Sequence, residues 1–319
     1  MVDEESYRAA AEDLPVHGVP AVPAPRGAGR RSPAGITVGV PWRPLRGSVL
    51  GYVGFGPESQ LPLTQRVLPA GAVILVLSFD SGSHLLGPAG TLAMSPVSVV
   101  GLHDRPTTVE HSGHPRGVAV GLAPPAAYTL LGVAMSELSH TYTGLDALLG
   151  EQAWWLLEQL AQARTWEALF GLLDQQLAQW LRDGRPAQAP VVHAWHRLRR
   201  SAGRLAVGGL ADELGCSRRY LEKRFSEQVG LSPKAVARVW RFQHAARLLG
   251  VPGHTLAEIA YLSGYCDQAH LNREFRVLAG CTPTELLPPR PAAQPPPYIT
   301  VHEICRRSHS SKKPVTLRP

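Results

Sequence analysis

The amino-acid sequence predicts an α+β protein in which a β-rich amino-terminal half is followed by an all-α carboxy-terminal half. Three observations support this fold class. Short apolar runs separated by turn residues fill residues 36–122, as is typical of antiparallel strands. Helical spacing of apolar side chains replaces these runs from residue 125 to about residue 181. A short pattern then occurs twice within residues 205–288, which predicts two copies of one small helical unit.

The 319 residues are enough for two domains, each with its own core. A Gly/Pro/Ala-rich stretch after the helical region marks the boundary between them. We therefore expect a flexible arm at 1–35, a β-rich domain with carboxy-terminal helices at 36–182, a linker at 183–192, a helical domain at 193–288 and a basic, proline-rich, disordered tail at 289–319.

Positive charge is concentrated in the carboxy-terminal part. Residues 193–288 hold 14 Lys and Arg against 8 Asp and Glu, and residues 289–319 hold 6 against 1, whereas residues 1–192 hold 12 against 16. This asymmetry is expected of a polyanion-binding module joined to a different kind of domain. No apolar run approaches the roughly 20 residues that cross a bilayer, and the amino terminus lacks an apolar signal core. We therefore expect no membrane partner and a cytoplasmic location.

The strand-like runs of the amino-terminal half predict a small sandwich or partial barrel. Such a half-open β-structure offers a concave apolar pocket. The amphipathic stretch that follows holds several large apolar side chains, namely Trp154, Trp155, Leu156, Leu160 and Trp166. This helical region forms either a homodimer interface or ordinary internal packing, and the sequence leaves both open.

Each copy of the repeat is predicted to be a helix, a tight turn and a second helix. The equivalent positions lie 49 or 50 residues apart, and they pair Leu210 with Ile259, Gly215 with Gly264, Leu221 with Leu271, Phe225 with Phe275, Gly230 with Gly280 and Pro233 with Pro283. The glycine after the first helix supplies a bent or left-handed backbone. The Leu and Phe of the second helix are four residues apart and so form an inward stripe.

Helix-capping residues define where these helices begin. Ser217 and Asp267 each stand where a side-chain oxygen accepts the free N–H groups of the second helix. Thr255 with Glu258 forms a capping box at the start of the second unit. Ser232 followed by Pro233 begins a bridge helix that runs to about Leu249, so the bridge is roughly 25 Å long at 1.5 Å per residue.

The outward faces of the two second helices offer hydrogen-bonding side chains at equivalent positions. These residues are Arg218, Arg219, Glu222 and Lys223 in the first unit and Gln268, Ala269, Asn272 and Arg273 in the second. Arg, Lys, Gln and Asn side chains can bind base edges in a major groove, and Ala269 offers a methyl group to thymine. Glu222 either accepts from a cytosine amine or pairs with a neighbouring Arg. The bridge helix would add Arg241 and Arg247 near the DNA backbone. The alternative is that these residues form a solvated helix face. Because the same kind of face occurs on two equivalent helices, that alternative is less favoured.

The segments RFQHAARLL and LAEIAYLSGYCDQAHLNREFRVLAGCTP make the last third of the chain resemble the double helix-turn-helix DNA-binding domain of the AraC/XylS family of transcription regulators. The resemblance implies that the eight outward residues face bases or phosphates of double-stranded DNA. LPAGAVILVLSF and GVAVGLAPPAAYTLLGVAMSEL resemble the cupin-like amino-terminal domain of some of these regulators. That resemblance implies a domain that binds a small effector or dimerises.

Enzymatic and metal-binding motifs are not found in the sequence. His84, His103, Glu110, His111 and His114 suggest a metal-bearing cupin, but their spacing lacks the two histidines separated by one residue that such sites show. We therefore expect no catalytic residue, no cofactor and no metal.

The predicted function is sequence-specific transcription regulation, with double-stranded DNA, a small-molecule effector, RNA polymerase and a second copy of the chain as candidate partners. Two alternatives stay open. One is a regulator without a ligand, controlled by its abundance or by a partner protein. The other, less favoured, is a cupin-type enzyme fused to a DNA-binding domain.

Overall fold

The structure, a computed structural model, describes residues 30–31, 36–56, 64–80, 83–87, 90–111, 115–286 and 298–299. The predicted arm at 1–35 and tail at 289–319 therefore lie outside the described residues, apart from two short pairs at 30–31 and 298–299. Every helix within the described ranges is too short or too polar to span a bilayer.

Strands form two sheets in the amino-terminal half. The strands are β1 Arg30–Arg31, β2 Ile36–Gly39, β3 Val49–Phe55, β4 Thr64–Val67, β5 Val73–Ser78, β6 Ser83–Gly87, β7 Gly90–Ala93, β8 Val97–Val100, β9 Thr107–His111, β10 Gly117–Leu122, β11 Tyr142–Gly144 and β12 Tyr298–Ile299. One sheet has the order β1-β2-β3-β10-β5-β8-β11, and the other has the order β12-β4-β9-β6-β7. Neighbouring strands are antiparallel except for β12 and β4, which are parallel.

Five helices follow or flank the strands in this half. They are α1 Pro124–Leu131, α2 Met135–Leu138, α3 Asp146–Leu149, α4 Glu151–Ala161 and α5 Trp166–Asp183. Two glycines let α5 lie directly on the larger sheet: a Cβ on Gly54 would be 2.1 Å from the Trp166 ring, and one on Gly39 would be 2.5 Å from the Phe170 ring. The Tyr52 hydroxyl donates to Asp174 of α5 at 2.7 Å, which satisfies two buried polar groups at once.

The two faces of the larger sheet differ in burial. Leu75 and Leu77 of β5 are buried with Val118 of β10, whereas the alternating residues Ile74 and Val76 are only half-buried. Because successive side chains of a strand point to opposite faces, one face forms the core with the helices. The opposite face carries apolar side chains that are less completely buried.

The described residues of the carboxy-terminal half contain seven helices. They are α6 Ala189–Arg200, α7 Val207–Glu213, α8 Arg218–Val229, α9 Pro233–Leu249, α10 Leu256–Leu262, α11 Gln268–Ala279 and α12 Pro283–Leu286. The α+β fold class is confirmed, with two helix-turn-helix units, α7–α8 and α10–α11, joined by the bridge helix α9. The described connection between the halves differs from the predicted linker at 183–192, since α5 ends at Asp183 and α6 already begins at Ala189. Pro190 lies in the first turn of α6. A proline is tolerated there because its missing N–H would have no partner within the helix.

The hydrophobic core does not divide at that connection. Leu210, Leu221 and Phe225 of the first unit belong to the same buried cluster as Leu75 and Leu77 of the larger sheet. A second cluster contains Phe242, Leu271 and Phe275, with Leu68 packed into it from the segment between β4 and β5. The first unit is therefore part of the core of the amino-terminal half, and the second unit has a core largely of its own.

Candidate nucleic-acid interface

The first unit has the helix, turn and cap that its sequence predicts. Gly215 adopts a left-handed φ of 62° after α7, which ends the helix without steric cost. The Ser217 hydroxyl then accepts the Tyr220 N–H at 3.2 Å and caps α8. Leu221 and Phe225 are buried, and α8 consequently turns its opposite face outward.

The second unit repeats this construction with stronger caps. Thr255 and Glu258 form a capping box at the start of α10. Gly264 has a φ of 77°, and the Asp267 carboxylate accepts the His270 N–H at 2.6 Å at the start of α11. The predicted capping residues are thus confirmed in both units, as is Ser232 at the start of the bridge helix.

The outward residues of α8 lie in solvent. Arg218, Arg219, Glu222 and Lys223 are all exposed. Among the ion pairs of the described residues, Glu222 takes part in none. The structure therefore does not show the pairing of Glu222 with a neighbouring Arg that the sequence left open. The carboxylate is available to a partner molecule.

The outward residues of α11 divide into two groups. Gln268, Ala269 and Arg273 are exposed, while Asn272 is half-buried. The side-chain oxygen Oδ1 of Asn272 is buried and has no hydrogen-bond partner. A buried acceptor without a donor is unfavourable, so a donor brought to this edge of α11 would find an unused acceptor there.

Arg241 and Arg247 of the bridge helix lie nearer the interior. The Arg241 guanidinium stacks on the Tyr265 ring, 5.9 Å from its centroid, and the Arg241 Nε is buried. Arg247 contacts the His244 ring through Nη2 and Nδ1. Both side chains are half-buried, in contrast to the exposed Arg219 and Lys223.

Ion pairs engage some of the other basic side chains of this region. Arg197 of α6 donates from Nη2 to Glu213 of α7 at 3.0 Å, and this bond is the main reason that the pKa of Glu213 lies below its usual value. Arg224 of α8 pairs with Glu227 at 2.8 Å. Basic composition alone therefore overstates the number of cations that are free to meet a phosphate.

The carboxyl ends of both second helices contact the amino-terminal half. The Ser139 hydroxyl donates to the Gly230 carbonyl at 2.6 Å, just after α8. Arg66 of β4 donates from Nη1 to the Ala279 carbonyl at 3.0 Å, at the end of α11. A cation at the carboxyl end of a helix also interacts favourably with the helix dipole. Sequence analysis missed these contacts, because partners up to 213 residues apart leave no local signal.

A cavity of about 520 Å³ lies between the loop 101–107 and the segment 140–142. His103 lines it together with Asp104, His140 and Tyr142. Burial lowers the pKa of His103 and raises the pKa of the Tyr142 phenol, so both side chains are held neutral. In the same loop, Asp104 lies 3.8 Å from Arg238 of α9 and Pro106 lies beside Gly280, which follows α11, so the cavity lies beside the joint of the two halves. Within the described residues, no group of His, Cys, Asp and Glu is arranged to hold a metal ion.

Comparison with known proteins identifies the helical half. A family described as a helix-turn-helix domain matches residues 210–288. Over 77 residues, 38% are identical to those of a Streptomyces lividans protein named as an AraC-like transcription regulator, a match covering 24% of this chain and 25% of that protein. Residues 210–288 form an AraC-type helix-turn-helix domain. The resemblance predicted from the repeat is thereby confirmed for this part of the chain.

Further relatives of the AraC-type domain are transcription regulators by name. The HTH-type transcriptional regulator VirS of Mycobacterium tuberculosis is 36% identical over 83 residues, covering 26% of this chain and 24% of VirS. The F1 operon positive regulatory protein of Yersinia pestis is 39% identical over 71 residues, covering 22% of this chain and 24% of that protein. The chain thus spans about a quarter of the length of the curated relatives it matches.

Outside the AraC-type domain, residues 41–143 match a family described as a domain of unknown function. A solved structure of ToxT from Vibrio cholerae aligns with 70% of this chain and 95% of its own, with 10% identity and a TM-score of 0.40. The structure of the xylose-binding transcription activator xylR aligns with 38% of each chain, with 24% identity and a TM-score of 0.29.

Proposed function

We propose that the chain is a sequence-specific DNA-binding transcription regulator. α8 and α11 enter adjacent major-groove segments, which lie about 34 Å apart along one face of a duplex. The bridge helix α9 sets the distance between them. The β-rich half supports both units and is the place where control is exerted.

The observation that carries this proposal is the exposure of equivalent polar faces on both second helices. Arg219 and Lys223 of α8 and Gln268 and Arg273 of α11 are all exposed within the first two turns. These turns are the ones that approach base edges in a helix-turn-helix. Arg and Lys suit guanine, and Gln suits adenine. The excess of basic residues between 193 and 288 supports the same proposal through attraction to phosphates.

Selection of bound fragments from random duplex DNA by the full chain tests this proposal. We expect a preferred site with two short contacted segments. Arg273→Ala should weaken binding to that site by about 1–3 kcal/mol while changing binding to random DNA much less. Arg164→Ala removes the same charge from an exposed position between α4 and α5 and is the matched control. Equal losses on specific and random DNA would show that Arg273 contacts phosphate alone, and recovery of no preferred sequence would overturn the proposal.

Control by a small effector is the second part of the proposal. The half-buried apolar face of the larger sheet and the cavity beside His103 both support it, since the cavity volume is within the usual range for ligand sites. The alternative is a regulator controlled by its abundance or by a partner protein. A thermal-shift screen of metabolites on the full chain tests the choice, because a ligand that prefers the folded state raises its melting temperature.

Homodimerisation through α4 is the third part of the proposal. Leu156 and Leu160 pack inside the core, whereas Trp155 on the same helix is 60% exposed. One face of α4 therefore packs internally, and the face with Trp155 is available for a homodimer interface. Sedimentation of the full chain and of Trp155→Ala tests this part, since loss of a dimer in the variant is expected and a monomer in both would contradict it. RNA polymerase as a partner follows from the regulator role and is proposed on that ground.

A further inference from the structure

A chain of three charged side chains joins the β-rich half to the second recognition helix. Arg238 of the bridge helix α9 donates to the Glu274 carboxylate of α11 through Nε at 3.0 Å and through Nη2 at 3.3 Å. Its third nitrogen, Nη1, lies 3.8 Å from the carboxylate of Asp104, in the loop between β8 and β9. One guanidinium thus faces carboxylates from two different parts of the fold.

The three side chains are partly buried, so breaking their contacts should affect the position of α11. The side chains of Arg238, Glu274 and Asp104 are 25%, 16% and 25% exposed. A paired guanidinium fork fixes orientation as well as distance, and loss of one partner leaves a poorly solvated charge behind. The hydrogen bonds to Glu274 raise the pKa of Arg238, so the guanidinium stays charged.

The same loop and a neighbouring strand also hold the end of α11. Arg66 of β4 donates to the Ala279 carbonyl, and a Cβ on Gly280 would lie 3.4 Å from Pro106. α11 is therefore fixed at its middle, through Glu274, and at its carboxyl end. The outward side chains of its amino-terminal half, Gln268 and Arg273, are exposed to solvent. A small rotation at Glu274 would displace Arg273, the adjacent residue.

We propose that Arg238 is a positioning residue for DNA recognition by the second helix-turn-helix unit, and that Asp104 of the β-rich half acts on α11 through it. This inference depends on the proposed function and adds a specific route by which the β-rich half affects that function. Asp104 also lines the cavity beside His103 and lies 3.8 Å from His140. A molecule that occupied the cavity would therefore act on a residue that faces the bridge helix.

The first test is Arg238→Gln in the full chain, on the DNA site recovered by selection. We expect specific affinity to fall about tenfold, because a partly buried Glu274 loses its fork and α11 loses its orientation. A footprint should lose protection over the segment contacted by α11 and keep it over the segment contacted by α8. Arg238→Lys, which keeps the charge and loses the fork, should give an intermediate loss. Circular dichroism melting checks that both variants are folded, and the Lys variant serves if the Gln variant is not.

The second test is Asp104→Asn, compared with Asp80→Asn. Both changes remove one negative charge in the same way, and Asp80 is exposed just after β5. Electrostatic attraction alone predicts slightly tighter DNA binding for both. Positioning through Arg238 predicts about two- to threefold weaker specific binding for Asp104→Asn only, with the smaller effect reflecting its longer distance.

The outcomes separate this inference from the proposed function. If the unmodified chain selects no preferred sequence, the proposed function fails and the inference fails with it. If the unmodified chain binds its site but Arg238→Gln weakens both footprint segments equally, or Asp104→Asn binds as tightly as Asp80→Asn, the positioning role is overturned and the proposed function stands.

Discussion

The two helix-turn-helix units have matching sequences but different attachments to the β-rich half. The first unit shares a buried apolar cluster with the larger sheet, through residues such as Leu221 and Phe225. The second unit has its own cluster around Phe275 and meets the β-rich half largely through polar contacts, including Arg66 with Ala279 and Arg238 with Asp104. Salt screens exposed and half-exposed ion pairs, whereas it does not screen apolar burial. The comparison therefore predicts that salt weakens the attachment of the second unit more than that of the first.

Replacing the equivalent buried phenylalanine of each unit by alanine should give the largest difference between the two units. Phe225→Ala and Phe275→Ala each create a cavity, at a cost of about 3–5 kcal/mol. We expect Phe225→Ala to lower hydrogen-exchange protection in both the first unit and the larger sheet. Phe275→Ala should lower protection mainly within residues 256–286. Equal loss of protection in the sheet for both variants would show that the two attachments are alike.

The next largest difference is expected in the stability lost when the glycine after each second helix is replaced by alanine. Gly230 has a φ of 104°, and a Cβ there would be 2.6 Å from the Ser139 Oγ and 2.9 Å from the Met135 carbonyl oxygen. Gly280 has a φ of 70° and its nearest contact would be 3.4 Å away. Gly230→Ala should therefore lower the free energy of unfolding in urea by about 2–3 kcal/mol. Gly280→Ala should lower it by about 1–2 kcal/mol, from backbone strain alone. The reverse order would contradict the closer docking of the first unit.

Removing the helix caps should give a smaller effect with the opposite ranking. Asp267 accepts at 2.6 Å and places a negative charge at the start of α11, whereas Ser217 accepts at 3.2 Å without charge. Asp267→Ala should cost about 1–1.5 kcal/mol of stability and Ser217→Ala about 0.5–1 kcal/mol. Asp267→Asn keeps the acceptor, and its urea midpoint should lie between those of the wild type and the Ala variant.

The smallest expected effect is a dependence on pH at the helix that packs beside the first unit. Burial, with nearby Arg199 and Arg200, lowers the pKa of His196 from 6.5 to about 4. Between these two values the unfolded chain binds more protons than the folded chain, so stability present above pH 6.5 is lost as the pH falls towards 4. His196→Gln should reduce this loss when urea midpoints are compared at pH 7 and pH 5. An unchanged difference between the two pH values would assign the acid sensitivity to other groups.

Much of the helical half was predictable from local sequence. The caps at Ser217, Ser232 and Asp267 and the bend at Gly264 depend on interactions within a few residues, and all are present as expected. The exposure of Arg219 and Lys223 follows from the inward stripe of Leu221 and Phe225 for the same reason. Part of the predicted linker is helical, because a proline suits the first turn of a helix as well as a loop and α6 begins at Ala189.

The sequence by itself determined that the chain has two equivalent helix-turn-helix units, since capping, periodicity and turn chemistry act over one or two helical turns. Only the tertiary structure decided which polar side chains remain free. It paired Arg197 with Glu213, stacked Arg241 on Tyr265 and joined Arg238 to both Glu274 and Asp104. These contacts connect residues distant in the chain, and their geometry depends on how the helices pack onto the sheets. Identical local patterns therefore gave two units with different surroundings.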